Sequence, residues 1–356
     1  MTSGALPSNP FVAAGMIEDS RLFVGRIDEL NAIASRMKGD QPTSINIVGE
    51  KHIGKSSLLH YFVLTWEQRV LNSSSYVVIY LALRGVDCQT ETGFYEAVAE
   101  GLLSHVPGRQ QSSLQNPWKT KPLNRQAFSD AVKQWKQQGK LPVLCLDDFE
   151  CLLKYPDKFD NGFYDNLRSL MDSNALMLVV ASRKQLDVYA KEYRFVSSFF
   201  NIAHTIYLNE LTTDEAIELS RLPSSTIGAA LSVDEQNHAQ QWGNRHPYKL
   251  QLAGYYLWEA RQQGKAIKWA KQQFEQQLNV TPSGKQQWNW RSWLYFIFVA
   301  VPKRLGSFIK LIGVTVNDVS SWIIGMVILV MFVLVLMRVL DWNQVWNFVR
   351  DKLGIK

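Results

Sequence analysis

An α/β fold with a mainly parallel sheet, then a small all-helical domain, then a C-terminal transmembrane helix, is the architecture this sequence predicts. Three observations carry it. Short apolar runs at Ile45 to Val48, Tyr76 to Ala82, Leu141 to Asp147 and Ala175 to Ser182 are separated by helical patterns, the order of a parallel sheet with crossover helices. From Thr213 to Gln276 the apolar spacing is helical throughout, with breaks at Pro223 and near Gly243 to Pro247. From Ser321 to Met337 no residue is charged, and carried on through Leu340 the run would cross ~30 Å as a helix, the thickness of a bilayer core.

Taken in order, residues 1–20 read as a loose N-terminal linker containing Pro7 and Pro10. Residues 21–210 form the α/β core. Its first helix is expected from Arg26 to Lys38, with Asp28 and Glu29 placed to suit the dipole at its N-terminus. Further helices are expected at Lys55 to Arg69, Phe94 to His105, Gln126 to Gln138 (on a Phe128, Val132, Trp135 stripe) and Phe163 to Asp172. Gln110 to Arg125, rich in Ser, Gln, Asn and Pro, reads as a loop, and Ile206 to Leu208 as a short last strand. Residues 211–283 form the helical domain. Residues 284–320 form a basic amphipathic juxtamembrane segment, 321–340 the transmembrane helix, and 341–356 a short amphipathic tail.

The 356 residues carry a net charge of +6, unevenly spread: Arg261 to Lys310 holds nine Lys/Arg against one acid, Glu275. Such a run suits an anionic neighbour, either lipid headgroups or nucleic acid. Cys88, Cys145 and Cys151 lack metal-ligand spacing and read as reduced thiols, which excludes a disulfide scaffold or a zinc module. The N-terminus has no charged-then-apolar signal sequence.

The chemistry centres on Gly49-Glu-Lys51-His52-Ile53-Gly54-Lys55-Ser56, followed by Ser57. An apolar strand precedes it and a helical pattern follows. This is a complete G-x-x-x-x-G-K-S phosphate loop in its required context, so the core reads as a P-loop NTPase sheet. Glycines let the backbone wrap phosphate oxygens, and loop amides with the helix N-terminus direct positive charge at the anion. Lys55 is placed to reach the β- and γ-phosphates, and the Ser56 hydroxyl to ligate Mg²⁺.

Three constellations support it. Val143 to Leu146 ends in Asp147 and Asp148; phosphoryl transfer needs a carboxylate at a strand end for Mg²⁺, which Asp147 suits, and a group to orient water, for which Asp148 is the candidate. Val179 to Ser182 ends in Arg183, a candidate γ-phosphate sensor at the ligand edge of a parallel sheet, or a solvated surface arginine. Trp242 to Tyr248 contains Arg245-His246-Pro247, weak by itself, since Pro at the first helical turn explains it as well. Arg168 and Arg194 read as surface or structural arginines, with an arginine finger for a neighbouring subunit the alternative for each.

Together these pieces resemble the STAND-type ATPases and their AAA+-like relatives. The resemblance rests on Asn9-Pro-Phe, Phe23-Val24-Gly25-Arg26, the phosphate loop, Leu146 to Glu150, Ala181 to Arg183, and Gly243 to Gln251, and covers residues 9 to about 275. It implies that Phe23 to Arg26, with Val24, Gly25 and Arg26 as ligand residues, pass the adenine. It implies that His246 and Pro247 are lid residues near the nucleotide, and that ATP/ADP and Mg²⁺ are the cofactors. Members of that group are nucleotide switches that oligomerise and relay signals, often in bacterial defence or regulated cell death, while some relatives load on DNA at replication origins or in transposition. Asp148 departs from the commoner glutamate by one methylene, ~1.5 Å of reach. Misplacements of ~1 Å cost on the order of a hundredfold in rate, so slow hydrolysis is expected.

Trp322 and Trp342 bracket the apolar run as interfacial anchors, and basic residues just before it predict that side to be cytoplasmic. The expectation is a single-pass inner-membrane protein with its ATPase domain on the cytoplasmic side. Trp288 to Val314 reads as interfacial, with a second, distorted span as the alternative. The tail lies on the far membrane surface or serves as an oligomerisation helix. The leading functional expectation is a membrane-anchored, slowly hydrolysing ATP switch whose partners are ATP, membrane lipid and either further copies of itself or a protein partner. The second is a membrane-tethered DNA-associated ATPase of the origin-loading or transposition-regulator type. A third is a membrane scaffold with a vestigial nucleotide site.

Overall fold

The computed structural model describes residues 9–280, apart from 39–40, 106–113, 115, 120–121, 202–203 and 224–227. The chain divides into units 1–282 and 283–356, and the juxtamembrane segment, the predicted transmembrane helix and the tail all lie outside the described residues. Among the described residues no helix is long and apolar enough to cross a membrane.

Five strands, β1 (Ile45–Val48), β2 (Tyr76–Ala82), β3 (Leu141–Asp147), β4 (Met177–Ser182) and β5 (His204–Tyr207), form one sheet in the order β2-β3-β4-β1-β5. Every pairing is parallel. The central strands read as near-continuous apolar runs because helices cover both of their faces. Alternate residues go to opposite sides. Ile45, Ile47, Val143, Cys145, Met177 and Val179 meet α1 (Ile27–Met37) and α2 (Lys55–Thr65) through Leu30, Ile33, Leu58 and Phe62. On the other face Ile79, Leu144, Leu146, Leu178 and Val180 meet α3 (Glu91–Ser104), α4 (Arg125–Gln137) and α5 (Asn161–Asp172). The predicted Phe128, Val132, Trp135 stripe is buried there.

The register places the chemistry. Val48 pairs with Ser182 and with Tyr207, and Ala82 with Asp147, so β1 to β4 finish along one edge. Asn46 supports that edge from inside the sheet. Its Nδ2 donates to Ser182 Oγ at 2.8 Å and to Val180 O at 3.3 Å, and its Oδ1 accepts from Leu186 N at 3.3 Å. The turn that carries Arg183 is thus tied to β1.

The helical domain comprises α7 (Thr213–Ser220), α8 (Val233–Gly243), α9 (Pro247–Gln262) and α10 (Ile267–Val280). Capping boxes at Thr212/Glu215 and Ser232/Glu235 start the first two, and Pro247 stands in the first turn of the third.

Several expectations need correction. Residues 9–19 are not a loose leader. Phe11 is buried in the helical domain's core, where a Cβ on Gly254 would lie 2.4 Å from its ring. Asn9 Nδ2 donates to Tyr255 O at 3.2 Å, Val12 N to Gln251 Oε1 at 2.9 Å, and Ile17 N to Ser57 Oγ at 3.0 Å. This strap joins the lid to the phosphate-loop helix. The segment read as a loop from Gln110 to Arg125 contributes buried Leu114, Trp118 and Leu123 to the core, and Trp135 Nε1 donates to Leu114 O at 2.9 Å. Helix α2 stops at Thr65 and continues as a 3-10 turn, Trp66–Gln68. The last strand runs His204–Tyr207 rather than Ile206 to Leu208. A helix not expected, α6 (Leu186–Tyr193), packs Leu186 and Tyr189 into the core.

Candidate functional site

A cavity of about 450 Å³ opens where the strand ends meet the lid. That lies within the usual range for small-ligand sites. Its walls come from four places in the chain: the strap, the linker, the phosphate loop and strand edge, and the lid.

The loop from Gly49 to Ser57 is held open by backbone conformation. His52 has φ 66° and Gly54 φ 100°, and Gly54 caps α2 at its N-terminus. Left-handed φ favours glycine, which fits its place at the turn into the helix. Lys51, His52, Ile53, Gly54, Lys55, Ser56 and Ser57 all line the cavity. Gly49 does not; it packs against Ile53 and Leu208, where a Cβ would lie 2.8 Å from Ile53 Cγ2. Lys55 Nζ donates to the carbonyls of Gly49 and Glu50, both at 2.8 Å. Burial pulls its pKa down, and the carboxylates of Glu150, Asp147 and Asp148 oppose that.

Asp147 is buried at the end of β3. Its Oδ2 accepts from Tyr80 OH at 2.9 Å and its Oδ1 from Asp148 N at 3.0 Å. Burial beside this carboxylate drives the Tyr80 hydroxyl pKa far up, so it stays a donor. Ser56 and Asp147 line the same cavity and offer hard oxygen ligands of the kind Mg²⁺ takes along with phosphate and water. They fit that ion, which would neutralise charge between phosphates. Among the described residues no group of three or more His, Cys, Asp and Glu is arranged to hold a metal without such help.

Asp148 lines the cavity, but its carboxylate is engaged. Arg84 Nε lies 2.5 Å from Oδ2, and Arg84 Nη2 donates to Oδ1 at 2.9 Å. The residue expected to orient water is therefore clamped from the end of β2. Arg183 also reaches the cavity, and its Nε pairs with Glu150 Oε1 at 3.1 Å. Glu150 is held above its ordinary pKa by burial, and its Oε2 is buried with no partner.

Linker and lid close the other side. Val24 and Arg26 line the cavity, while Gly25 stands behind them with φ 72°. Arg26 works as a rivet: its N–H donates to Glu215 Oε1 at 2.6 Å, and its guanidinium to Asn209 O at 2.6 Å, Glu29 at 3.1 Å and Ile53 O at 3.4 Å. Pro247 lines the cavity but His246 does not; it caps α9 from outside the wall, and burial lowers its pKa. Its neighbour Tyr248 stacks on His52 with centroids 4.6 Å apart, a direct contact between lid and phosphate loop. Burial lowers the His52 pKa too. Neither arginine-finger candidate lines the cavity: Arg168 pairs with Asp172 at 2.9 Å, and Arg194 ends α6.

Residues that the sequence reading missed at this site are Val12, Met16 and Ile17 of the strap, Tyr80, Arg84 and Gln251. Arg84 follows an apolar strand and Gln251 lies one helical turn beyond Pro247, while Tyr80 and the strap residues carry no local signal of a site.

No curated protein matches the sequence. Among solved structures, the chain resembles the Walker-type ATPase PABY2304 of Pyrococcus abyssi, with a TM-score of 0.53 at 15% identity over 85% of this chain and 89% of that one. The ORC2 protein of Aeropyrum pernix, in ADPNP–ADP complexes, matches with 0.53 at 13% over 96% and 91%. The ORC1 protein of the same organism, in complex with DNA, matches with 0.50 at 15% over 94% and 84%. At these identities the likeness is one of fold. Residues 38–188 match the family described as AAA domain, the stretch that runs from the end of α1 through the phosphate loop to the start of α6.

Proposed function

We propose that this chain is an ATP switch: ATP with Mg²⁺ binds between phosphate loop and lid, draws the two together, and licenses self-association or capture of a protein partner. The observation that carries the reading is that one cavity is walled jointly by the phosphate loop, the Asp147 edge and lid residues Pro247, Tyr248 and Gln251. A ligand filling it touches both domains, so it can bind their closed arrangement more tightly than the open one and shift the equilibrium by that difference. Lys55, Ser56, Asp147 and Arg183 take the triphosphate and its metal; Val24, Arg26 and Pro247 border the nucleoside. The Arg84 clamp on Asp148 supports slow, regulatory hydrolysis. The apolar run at 321–340 would anchor the switch in the inner membrane with its ATPase domain cytoplasmic, and clustering of such anchors suits signalling in prokaryotic defence or regulated cell death. The test is the size of the full chain with ADP, with a non-hydrolysable ATP analogue, and as Lys55→Ala. Analogue-dependent assembly in wild type alone supports the reading; identical sizes in all three sink it.

A second reading is a membrane-tethered ATPase that acts on DNA. It is favoured by the basic run from Arg261 to Lys310 and by the fold likeness to the Aeropyrum pernix ORC1 protein, which was solved in complex with DNA. It requires DNA binding whose affinity falls steeply with salt; no such binding at low salt removes it.

A further inference from the structure

Glu150 stands behind the cavity rather than in it. It follows Asp147 and Asp148 on the 3-10 turn Phe149–Lys154. There it lines a neighbouring hollow of about 340 Å³, which shares Arg84 and Arg183 with the phosphate-loop cavity. Its side chain is 14% exposed, and its ion-pair partner is Arg183, Nε to Oε1 at 3.1 Å. Burial pushes the Glu150 carboxyl pKa up, against the pull of the Arg183 and Lys55 charges. Burial lowers the Lys55 pKa in turn, and of the carboxylates that oppose this Glu150 acts most strongly, ahead of Asp147 and Asp148. This acid therefore lies beside the phosphate end, although no wall of the cavity includes it.

Arg183 is held at both ends. At its backbone, Asn46 Nδ2 donates to Ser182 Oγ at 2.8 Å, and that hydroxyl donates to Lys184 O at 2.7 Å. At its head, the guanidinium meets Glu150. The arginine side chain is 49% exposed, so its backbone alone does not fix where the charge points. Immobilising one rotamer-rich side chain on binding costs about two- to tenfold in affinity. Glu150 meets that cost before any ligand arrives. The pair is made while Arg183 lines the cavity, so phosphate need not break it. The contact is at Nε, and the Nη groups of the fork are further donors. We propose that Glu150 is a positioning residue: it holds the Arg183 guanidinium at the phosphate end of the cavity, so that ATP is preferred over ADP. This rests on the ATP reading above.

The test measures affinity for ADP and for a non-hydrolysable ATP analogue, each with Mg²⁺, on the full chain. The proteins are wild type, Glu150→Gln, Glu150→Ala, Arg183→Ala and Glu150→Ala/Arg183→Ala. The readout is the ratio of the two affinities, which isolates the γ-phosphate and cancels a loss of stability common to both ligands. Arg183→Ala should lower the preference for the analogue about tenfold, the size of one hydrogen bond to a charged group. Glu150→Ala should lower it about two- to tenfold. The double variant should fall no further than Arg183→Ala, because both changes act through one guanidinium. Glu150→Gln keeps an oxygen for Arg183 Nε and should fall less than Glu150→Ala. The proposal is overturned if Glu150→Ala leaves the ratio unchanged or raises it, if the two losses add in the double variant, or if Arg183→Ala keeps the wild-type ratio. A wild type that binds both nucleotides equally also overturns it, while the nucleotide site stands. If wild type binds neither, the ATP reading fails with it.

Discussion

Replacing Arg84 with alanine should raise the rate of ATP hydrolysis. Arg84 holds Asp148 through two contacts, at 2.5 and 2.9 Å, and Asp148 is the carboxylate that the proposed function assigns to orienting water. The arginine side chain is 61% exposed and the aspartate 19%, so solvent screens the pair. Exposed ion pairs are worth about 0.2–1 kcal/mol, and two-point geometry puts this one near the top of that range. Since ~1.4 kcal/mol is a factor of ten, freeing the carboxylate adds at most about fivefold to kcat. The assay is steady-state phosphate release by the full chain, as wild type, Arg84→Ala and Arg84→Ala/Asp148→Asn. The gain should appear in the single variant and vanish in the double. A fall in kcat for Arg84→Ala would mean that Arg84 contacts phosphate rather than restraining Asp148. A gain that survives in the double variant would remove Asp148 from the chemistry.

Other outcomes follow from the same geometry. Gly25→Ala forces a side chain into φ 72° and puts its Cβ 2.3 Å from Glu215 Oε1, breaking the Arg26 N–H bond; a loss of roughly 1–3 kcal/mol should be readable in denaturant melts. Phe11→Ala empties a buried ring site in the lid and should cost about 3–5 kcal/mol of lid stability, read as hydrogen exchange confined to α7–α10. Burial raises the Glu215 pKa, but bonds from Thr212 and Arg26 outweigh it and hold the carboxyl below its ordinary 4.5. Its stabilising contribution is present above that value and lost as pH falls through the folded-state pKa, so Glu215→Gln should flatten the acid limb of the melting curve. Asn46→Leu strips partners from Ser182 and Leu186 and should lower both stability and ATP affinity, with Arg183→Ala lowering affinity alone.

The parts of this molecule that were legible in its sequence are those where a residue's role is set by neighbours in the chain. The phosphate loop needs its strand before and helix after, and Asp147 needs only an apolar run before it, so both could be placed from spacing. The stripe on α4 is periodic, and the near-continuous apolar runs of β2 and β3 mark buried strands. What could not be read depends on partners distant in the chain. Phe11 is buried because Gly254, some 240 residues on, leaves room for its ring. Arg84 looks like a surface arginine until β2 pairs with β3 and brings it to Asp148. Leu114 and Trp118 sit among Gln, Ser and Asn, and the polar composition masks them. His246 was the more conspicuous residue of its motif, yet Pro247 and Tyr248 are the ones facing the cavity.

The central claim is that ATP couples the phosphate loop to the lid. Amide hydrogen exchange on the full chain, with and without ATP and Mg²⁺, addresses it most directly. Protection is expected together in residues 49–57, in strap residues 12–17 and in the first turns of α9, with none of it in Lys55→Ala. Protection restricted to 49–57, with strap and lid exchanging as before, would contradict the account.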